Sequence, residues 1–367
     1  MSTTNRETKR VVIACGGTGG HLFPGIAVAE ELQRAGHETL ALISQKNIDA
    51  LATKGYDAIR FETLEAIAMP RLLSVGMPKF VLRFWRARNA ARRIVQDFAP
   101  HAVMGMGGFT SMPPVMAGRS LGARTFIHES NAFPGKANRL TARFCDEILL
   151  GFEECARFFP GRTTRAVGTP VRGALTGPRP SAAEARAHFG LDPARMTLLV
   201  MGGSQGARAV NRAVCQALSH FKSAALQILH FSGPADFAEV QHAYRGMAVR
   251  HHVGEFCSEM GTAYAAADLA LSRAGASSLA ELAICGLPAI LVPYPYAAND
   301  HQLRNAEIFA ARNAALLLEE RNLSTCSLSK MVNDLVASPD ILADVAANCR
   351  AAATPDAAAQ IARLVAA

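Results

Sequence analysis

The 367-residue chain is poor in the features that mark secreted, metal-loaded or membrane-spanning proteins. Its eight cysteines (Cys15, Cys145, Cys155, Cys215, Cys257, Cys285, Cys326, Cys349) include no C-x-x-C pair, and several lie in apolar runs. They read as small core residues of a reducing compartment, and no zinc pattern appears. The first ten residues are polar and charged, so they lack the apolar core of a signal peptide. No run reaches the roughly 18 apolar residues that a spanning helix needs. The expected location is therefore cytosolic. No Asp-x-Asp occurs anywhere, which removes the usual carboxylate pair for Mg²⁺. There is a single tryptophan, Trp85, and no acidic residue lies between Met69 and Gln96.

What the chain has is hydrophobic mass, basic charge and glycine turns. Half of its residues are hydrophobic, 19% are charged and the net charge is +8. The length suits two cores rather than one. A basic protein of this size suits nucleic acid, anionic lipid or phosphorylated substrates, and the placement of the basic residues decides among them.

Residues 11–32 set the pattern. Val11 to Cys15 is a short β-branched run that reads as a buried parallel strand. Gly16, Gly17, Thr18, Gly19 and Gly20 follow, then His21, and Leu22, Ile26, Ala29 and Leu32 recur at helical spacing. Backbone amides of such a turn, with the helix N-terminus behind them, form an anion site. The plain alternative is a tight turn without a ligand. Further apolar strands are expected at Thr39–Ser44, Ala102–Met106, Arg124–His128 and Glu147–Gly151, alternating with helices as in a parallel sheet covered on both faces. The strand at 102 runs into a second glycine turn, Gly105, Gly107 and Gly108. The strand at 124 runs into His128-Glu129-Ser130-Asn131, a polar cluster where α/β proteins place chemistry.

Residues 69–95 break the pattern. Leu72, Leu73, Val75, Met77, Phe80, Val81, Leu82, Phe84 and Trp85 are interleaved with Arg71, Lys79, Arg83, Arg86, Arg88, Arg92 and Arg93. A core helix with a solvated basic face is one reading. The other is a surface that meets anionic lipid. Nucleic acid is disfavoured, because it calls for paired aromatic stacking platforms.

Residues 161–185 are rich in Gly, Pro, Thr and Arg and read as a short strand and a linker, with the boundary near Val171 to Ser181. The second half repeats the grammar. Leu198–Met201 is a strand, Gly202-Gly203-Ser204-Gln205-Gly206 a glycine turn, and Ala207 opens a helix. Strands follow at Gln227–Phe231, Ala248–His251, Asp268–Ser272, Ala289–Val292 and Ala314–Leu318. Small residues at Ala276, Ser277 and Ser278 open another helix, and Glu281 within it suits a sugar cis-diol as a double acceptor, or simply a solvated helix face. Asn299 or Asp300 is placed to cap the helix after it. Pro355 divides the alanine-rich end into two helices. The fold class is α/β, with two doubly wound Rossmann-like domains expected to face each other across a cleft.

The glycine turns indicate phosphate but leave the reaction open. A dinucleotide fingerprint fails at Leu22 and again at the second strand's end, Ser44-Gln45-Lys46, which carries no carboxylate. A P-loop fails because no glycine turn continues into Lys-Ser or Lys-Thr. A sugar-nucleotide transferase fits: it needs a cradle for the leaving diphosphate and a base for the acceptor hydroxyl.

GGTGGHLFPG, GMGGF, HESNAFPG, GTPVR, GGSQGAR, RAGASSLAE and DHQLRNA occur in this order between residues 10 and 340. The series resembles glycosyltransferase family 28, the N-acetylglucosaminyltransferases of peptidoglycan synthesis. The resemblance implies the GT-B fold, with residues 1–172 as acceptor and membrane domain, 173–340 as UDP-sugar domain and 341–367 as helices crossing back. It implies UDP-N-acetylglucosamine as donor and an undecaprenyl-diphosphate-linked muramyl pentapeptide as acceptor. It also implies an inverting, metal-independent transfer forming a β-1,4 linkage, without a cofactor, at the cytoplasmic face of the inner membrane. Residues 69–95 would then be the membrane contact.

Carried over by motif, Thr18, Gly19, Gly20, Asn131 and Gln302 lie by the donor sugar, and Arg172 and Ser204 meet its diphosphate. Cys257, through its backbone, reads uracil. Ala276, Ser277, Ser278, Leu279, Ala280 and Glu281 hold diphosphate and ribose. Gly16, Gly17, Gly105, Gly107 and Gly108 cradle the acceptor diphosphate. Three positions depart from the family: Ser130 and His301 stand where glutamine is usual, and Thr169 where asparagine is common. For the base, His21 is the first choice, since an imidazole accepts a hydroxyl proton near neutral pH. Glu129 is the second. Two rival functions remain open: a diacylglycerol glycosyltransferase, and a UDP-sugar-binding protein without transferase activity.

Overall fold

A computed structural model describes residues 7–16, 19–45, 56, 58–65, 69–70, 76–203, 205–222 and 224–367. The chain forms two compact units, one of Met1–Gly173 with Thr354–Ala367 and one of Ala174–Ala353.

The first unit contains β1 (Arg10–Ala14), α1 (Gly19–Arg34), β2 (Glu38–Ser44), β3 (Arg60–Leu64), α2 (Met77–Phe98), β4 (Ala102–Gly105), α3 (Met112–Ser120), β5 (Arg124–Glu129), α4 (Lys136–Thr141), β6 (Glu147–Leu150) and β7 (Thr164–Ala166). Its sheet runs β3-β2-β1-β4-β5-β6-β7, and the strand pairs are parallel throughout. The strand order reverses between β1 and β4, paired from Val11↔Ala102 to Ala14↔Gly105. A crevice opens at such a reversal, beyond the carboxyl ends of the strands. That register sets the two N-terminal glycine turns side by side. Strands buried on both faces read as unbroken apolar runs, and Val11, Val12 and Ile13 are fully buried.

The second unit contains α5 (Ala182–His188), β8 (Met196–Met201), α6 (Arg208–Ala217), β9 (Leu226–Phe231), α7 (Phe237–Ala243), β10 (Arg250–Gly254), α8 (Met260–Ala266), β11 (Leu269–Ser272), α9 (Ala276–Cys285), β12 (Ala289–Leu291), α10 (His301–Ala311), β13 (Leu316–Leu317), α11 (Thr325–Val336) and α12 (Pro339–Ala351). Its sheet runs β10-β9-β8-β11-β12-β13, again parallel, reversing between β8 and β11. Its core joins Leu198 and Val200 of β8 to Val210 and Val214 of α6 and to Leu328 and Val332 of α11.

The last helix, α13 (Ala357–Ala366), belongs to the first unit. Ile361 and Val365 bury against Leu22, Ile26 and Ala29 of α1, each burial stabilising by about 1.5–3 kcal/mol. α12 stays with the second unit, so the return begins at Thr354 and not at 341. Pro355 falls between α12 and α13.

α2 is two surfaces in one helix. Ala87, Ala91 and Val95, spaced four apart, are buried against the unit. Toward its N-terminus, Val81, Leu82 and Trp85 are 45%, 53% and 52% exposed. Residues 71–75 of the basic-apolar stretch lie outside the described residues. Among the described residues, no helix is long and apolar enough to cross a membrane.

Candidate active site

In the first unit, β1 ends at Ala14 and the chain turns through Gly16 into α1, which starts at Gly19. Gly17 and Thr18 lie outside the described residues. A side chain on Gly16 would place its Cβ 2.2 Å from the Ser44 nitrogen, so packing against β2 already demands glycine there. Gly19 and Gly20 form the first residues of α1.

The second glycine turn is tied to the first. Met106 N donates to Ala14 O at 2.8 Å. Ser111 Oγ donates to Ala14 O at 2.9 Å, and Thr110 Oγ1 donates to Gly16 O at 3.2 Å. Gly105 closes β4, and Gly107 and Gly108 adopt φ of +121° and +74°. A Cβ on Gly107 would sit 2.5 Å from His21 Cε1 and 2.8 Å from His21 Nδ1, and one on Gly108 3.7 Å from His21 Cδ2. The imidazole of His21 therefore lies along the second turn, while its backbone belongs to the first. Arg172 is placed by the same helix: its guanidinium lies 4.4 Å from the ring centroid of Phe23 on α1.

His128 and Glu129, at the end of β5, are buried and committed. His128 Nε2 faces the Gly168 carbonyl at 2.9 Å, and Nδ1 faces Ser130 Oγ at 3.1 Å. A carbonyl only accepts, so Nε2 carries the proton and Ser130 donates to Nδ1. Burial holds the His128 pKa down, to about 4. Glu129, 2% exposed, accepts four hydrogen bonds. Asn131 N (2.9 Å) and Nδ2 (3.1 Å) donate to Oε1. Gly135 N (3.0 Å) and Asn138 Nδ2 (2.8 Å) donate to Oε2. Burial raises its pKa and these bonds oppose the rise. A carboxylate has about four acceptor sites, so these donors, three from the loop and one from α4, fill it. Glu129 is thus the post around which the 129–138 loop folds, and Asn131 is fixed to it.

The second unit carries a cavity of about 550 Å³ at the carboxyl ends of β8, β11 and β12. Its walls include Gly202, Gln205, Gly206 and Arg208 from the β8–α6 turn, Arg273 after β11, Tyr294, Gln302 and Glu320. Ser204 lies outside the described residues. Arg273 is 9% exposed and occupied: it pairs with Glu320 at 2.6 Å and donates to Val292 O (3.1 Å) and Pro293 O (3.2 Å). Gln302 Oε1 accepts from Tyr294 N at 3.0 Å. Just before Gln302, Asn299 and Asp300 both adopt left-handed φ, 55° and 54°. Asp300 is at the N-cap of α10 but makes no side-chain capping bond. Such backbone strain of about 1–3 kcal/mol per residue clusters at functional sites. His301 Nδ1 instead engages the Ala298 carbonyl at 2.7 Å.

Ala276, Ser277, Ser278, Leu279 and Ala280 form the first turn and a half of α9 after Gly275. Leu279 is buried, so only its backbone is offered to a ligand. Glu281 is half-buried rather than a solvated helix residue: Tyr264 on α8 donates its hydroxyl to Oε2 at 2.7 Å. Cys257 is buried beside the 62%-exposed Phe256. The predicted residues thus fall into two groups. His21, Gly16, Gly19, Gly20, Gly105, Gly107, Gly108, Glu129, Asn131 and Arg172 are in the first unit; Cys257, Ala276–Glu281 and Gln302 are in the second. Arg208, Arg273 and Tyr294 line the cavity without having been singled out as site residues; Arg208 and Arg273 do fall within the GGSQGAR and RAGASSLAE segments, and Tyr294 follows the strand at 289. Among the described residues, no group of three His, Cys, Asp or Glu side chains is placed to hold a metal.

Comparison with known proteins follows this division. The model for the glycosyltransferase family 28 N-terminal domain matches residues 11–150, and that for the family's C-terminal domain matches residues 197–361. A UDP-N-acetylglucosamine–N-acetylmuramyl-(pentapeptide) pyrophosphoryl-undecaprenol N-acetylglucosamine transferase of Geobacter sp. strain M21 is 38% identical over 96% of this chain and 94% of its own. One of the same name from Citrifermentans bemidjiense is 38% identical over 96% and 98%. The crystal structure of Acinetobacter baumannii MurG superposes with a TM-score of 0.76 at 27% identity, covering 97% of this chain and 99% of that one.

Proposed function

This chain belongs to glycosyltransferase family 28, and we infer that it transfers N-acetylglucosamine from UDP-N-acetylglucosamine to the N-acetylmuramyl-(pentapeptide) pyrophosphoryl-undecaprenol acceptor. It is a hexosyltransferase of cell-wall synthesis, and the diacylglycerol and binding-protein alternatives are not favoured. The observation that carries the chemistry is His21 lying along Gly107 and Gly108. One imidazole is thereby held where two glycine turns meet.

In the reaction we assign, His21 accepts the proton of the muramyl 4-hydroxyl as that oxygen bonds to the anomeric carbon. The glycosidic bond to UDP breaks with its electron pair leaving on the diphosphate, which inverts the anomeric centre. The turns at 16–20 and 105–108 cradle the acceptor diphosphate. The cavity of the second unit takes the diphosphate and sugar of the donor, with Gln302 on its wall beside the sugar, while Glu281, which does not line that cavity, holds the ribose. Glu129 acts as a positioning residue, because its four acceptor sites are filled. Helix N-termini and arginines neutralise the leaving diphosphate, so no metal is required.

We further assign Val81, Leu82 and Trp85 of α2 to the lipid surface, with Lys79, Arg86, Arg92 and Arg93 meeting anionic head groups, while Arg83 pairs with Glu65. These apolar side chains are exposed on a helix whose opposite stripe is buried. The enzyme is then peripheral, at the cytoplasmic face of the membrane that holds its acceptor. The test is UDP release from UDP-N-acetylglucosamine with a short-chain analogue of the lipid acceptor, in EDTA. UDP matched by disaccharide lipid supports the assignment. Tight UDP binding without release would move it to another acceptor.

A further inference from the structure

We propose that Arg208 is the cation that takes the donor diphosphate in the second unit, and that Asp236, Asn211, His230 and Tyr244 form a buried relay that positions it. The proposal deepens the donor reading above and rests on it.

Three arginines line the cavity: Arg208, Arg212 and Arg273. Arg273 is buried, and its Nη1 is shared between the Glu320 carboxylate and two backbone carbonyls. Arg212 stands 3.8 Å from Glu239, both side chains well exposed, a pair that solvent screens. The Arg208 side chain is as exposed as that of Arg212, 62% against 59%, but its partner carboxylate is buried. Its Nε donates to Asp236 Oδ1 at 3.0 Å, and among the described residues this is its one recorded partner. A guanidinium has five N–H donors in a fixed plane, so anchoring Nε leaves the fork aimed by its anchor. Paired Nη donors match a phosphate's oxygens. Arg208 is also the first residue of α6, where the helix dipole adds to the positive potential.

The anchor is itself held in depth. Asp236 is 7% exposed, and its Oδ2 accepts from Asn211 Nδ2 at 2.9 Å. The same Nδ2 donates to Ser232 O at 2.9 Å, so both neighbours of that nitrogen are acceptors and the amide orientation is fixed. Asn211 Oδ1 then accepts from His230 Nε2 at 3.0 Å, which leaves His230 Nδ1 to accept from the Tyr244 hydroxyl at 3.0 Å. Every link has one possible direction, from Tyr244 to the carboxylate that holds Arg208. A structural network needs no such terminus. This one ends on a cation at the cavity wall, beside a glycine turn.

The test is calorimetric binding of UDP and of uridine to the full chain and its variants. Arg208→Ala is expected to lower UDP affinity by about 30-fold, the scale of lost hydrogen bonds to a charged group, and to leave uridine affinity unchanged. Arg208→Lys, which keeps the charge but not the fork, recovers part of it. Asp236→Asn and Tyr244→Phe weaken UDP by smaller factors, again without moving uridine. Unchanged UDP affinity in Arg208→Ala overturns the proposal. So does a parallel loss of UDP and uridine in the Asp236 and Tyr244 variants, the signature of a merely structural role. If the unaltered chain binds neither, the donor reading fails with it.

Discussion

The imidazole of His21 fills the space that a side chain on Gly107 would need: a Cβ built on Gly107 falls 2.5 Å from His21 Cε1. Two residues 86 positions apart in the chain therefore share one volume. The glycine of the second turn has a duty beyond its own backbone, because it leaves room for the imidazole that follows the first.

Gly107→Ala tests that relationship. The substitution meets both the His21 ring and a φ of +121°. Misplacing a catalytic group by about 1 Å costs about 100-fold in rate. The expected result is a fall of that order in kcat, with the KM for UDP-N-acetylglucosamine unchanged, read from steady-state kinetics. An unaltered kcat in a folded variant would show that the ring's position does not matter.

Glu281 gives a prediction for donor selectivity. Its Oε2 accepts the Tyr264 hydroxyl at 2.7 Å, which orients the carboxylate. Glu281→Gln is expected to raise KM for the donor about tenfold and to erase discrimination against the 2′-deoxy donor. Tyr264→Phe does the same to a lesser degree. If the deoxy donor is discriminated equally by both variants and the unaltered chain, Glu281 does not hold the ribose.

The exposed side of α2 predicts a separation of surface binding from chemistry. Leu82→Asp with Trp85→Glu is expected to abolish sedimentation with anionic vesicles while leaving turnover of a soluble short-chain acceptor within twofold. Binding by the unaltered chain falls with salt, because the arginines act through screened charge. Equal vesicle binding by both proteins would remove α2 from the membrane contact.

Acid sensitivity follows from two buried histidines. His128 and His230 are held neutral by burial, with pKa values lowered to about 4 and about 3. The unfolded chain binds those protons below about pH 6.5, so stability drops as pH falls from there through about 4. Each group contributes a slope of up to about 1.4 kcal/mol per pH unit. Glu129, its pKa raised, acts in the opposite sense and softens the loss. Urea midpoints of His128→Gln should fall less steeply between pH 6.5 and 4.5 than those of the unaltered chain. Parallel slopes would mean that His128 is not buried neutral.

Much of this was legible in the sequence because α/β proteins write it locally. A β-branched run, a glycine turn and a helical stripe are consecutive, so β1, β4, β5 and β8 and the turns after β1, β4 and β8 were evident. The edge strand β3 was not: Arg60-Phe61-Glu62-Thr63-Leu64 is polar and half-exposed, with Arg60 paired to Glu62, and it lacks the apolar run of a central strand. Glu129 was readable as chemistry, but three of the four donors that occupy it come from the loop at 131–135, whose fold the sequence does not announce, and the fourth from Asn138 on α4. The relay behind Arg208 joins residues from α6, β9 and the segments around α7, and only tertiary packing brings them together. Ser130 likewise gained its meaning from His128, which takes its hydroxyl hydrogen bond.

The central claim is that His21 accepts the proton of the attacking hydroxyl, and single-turnover transfer by His21→Ala tests it most directly. The account predicts a rate lower by about 10²–10⁴-fold with UDP affinity intact, partly restored by added imidazole. A near-normal rate with the pH dependence of the unaltered enzyme would contradict it.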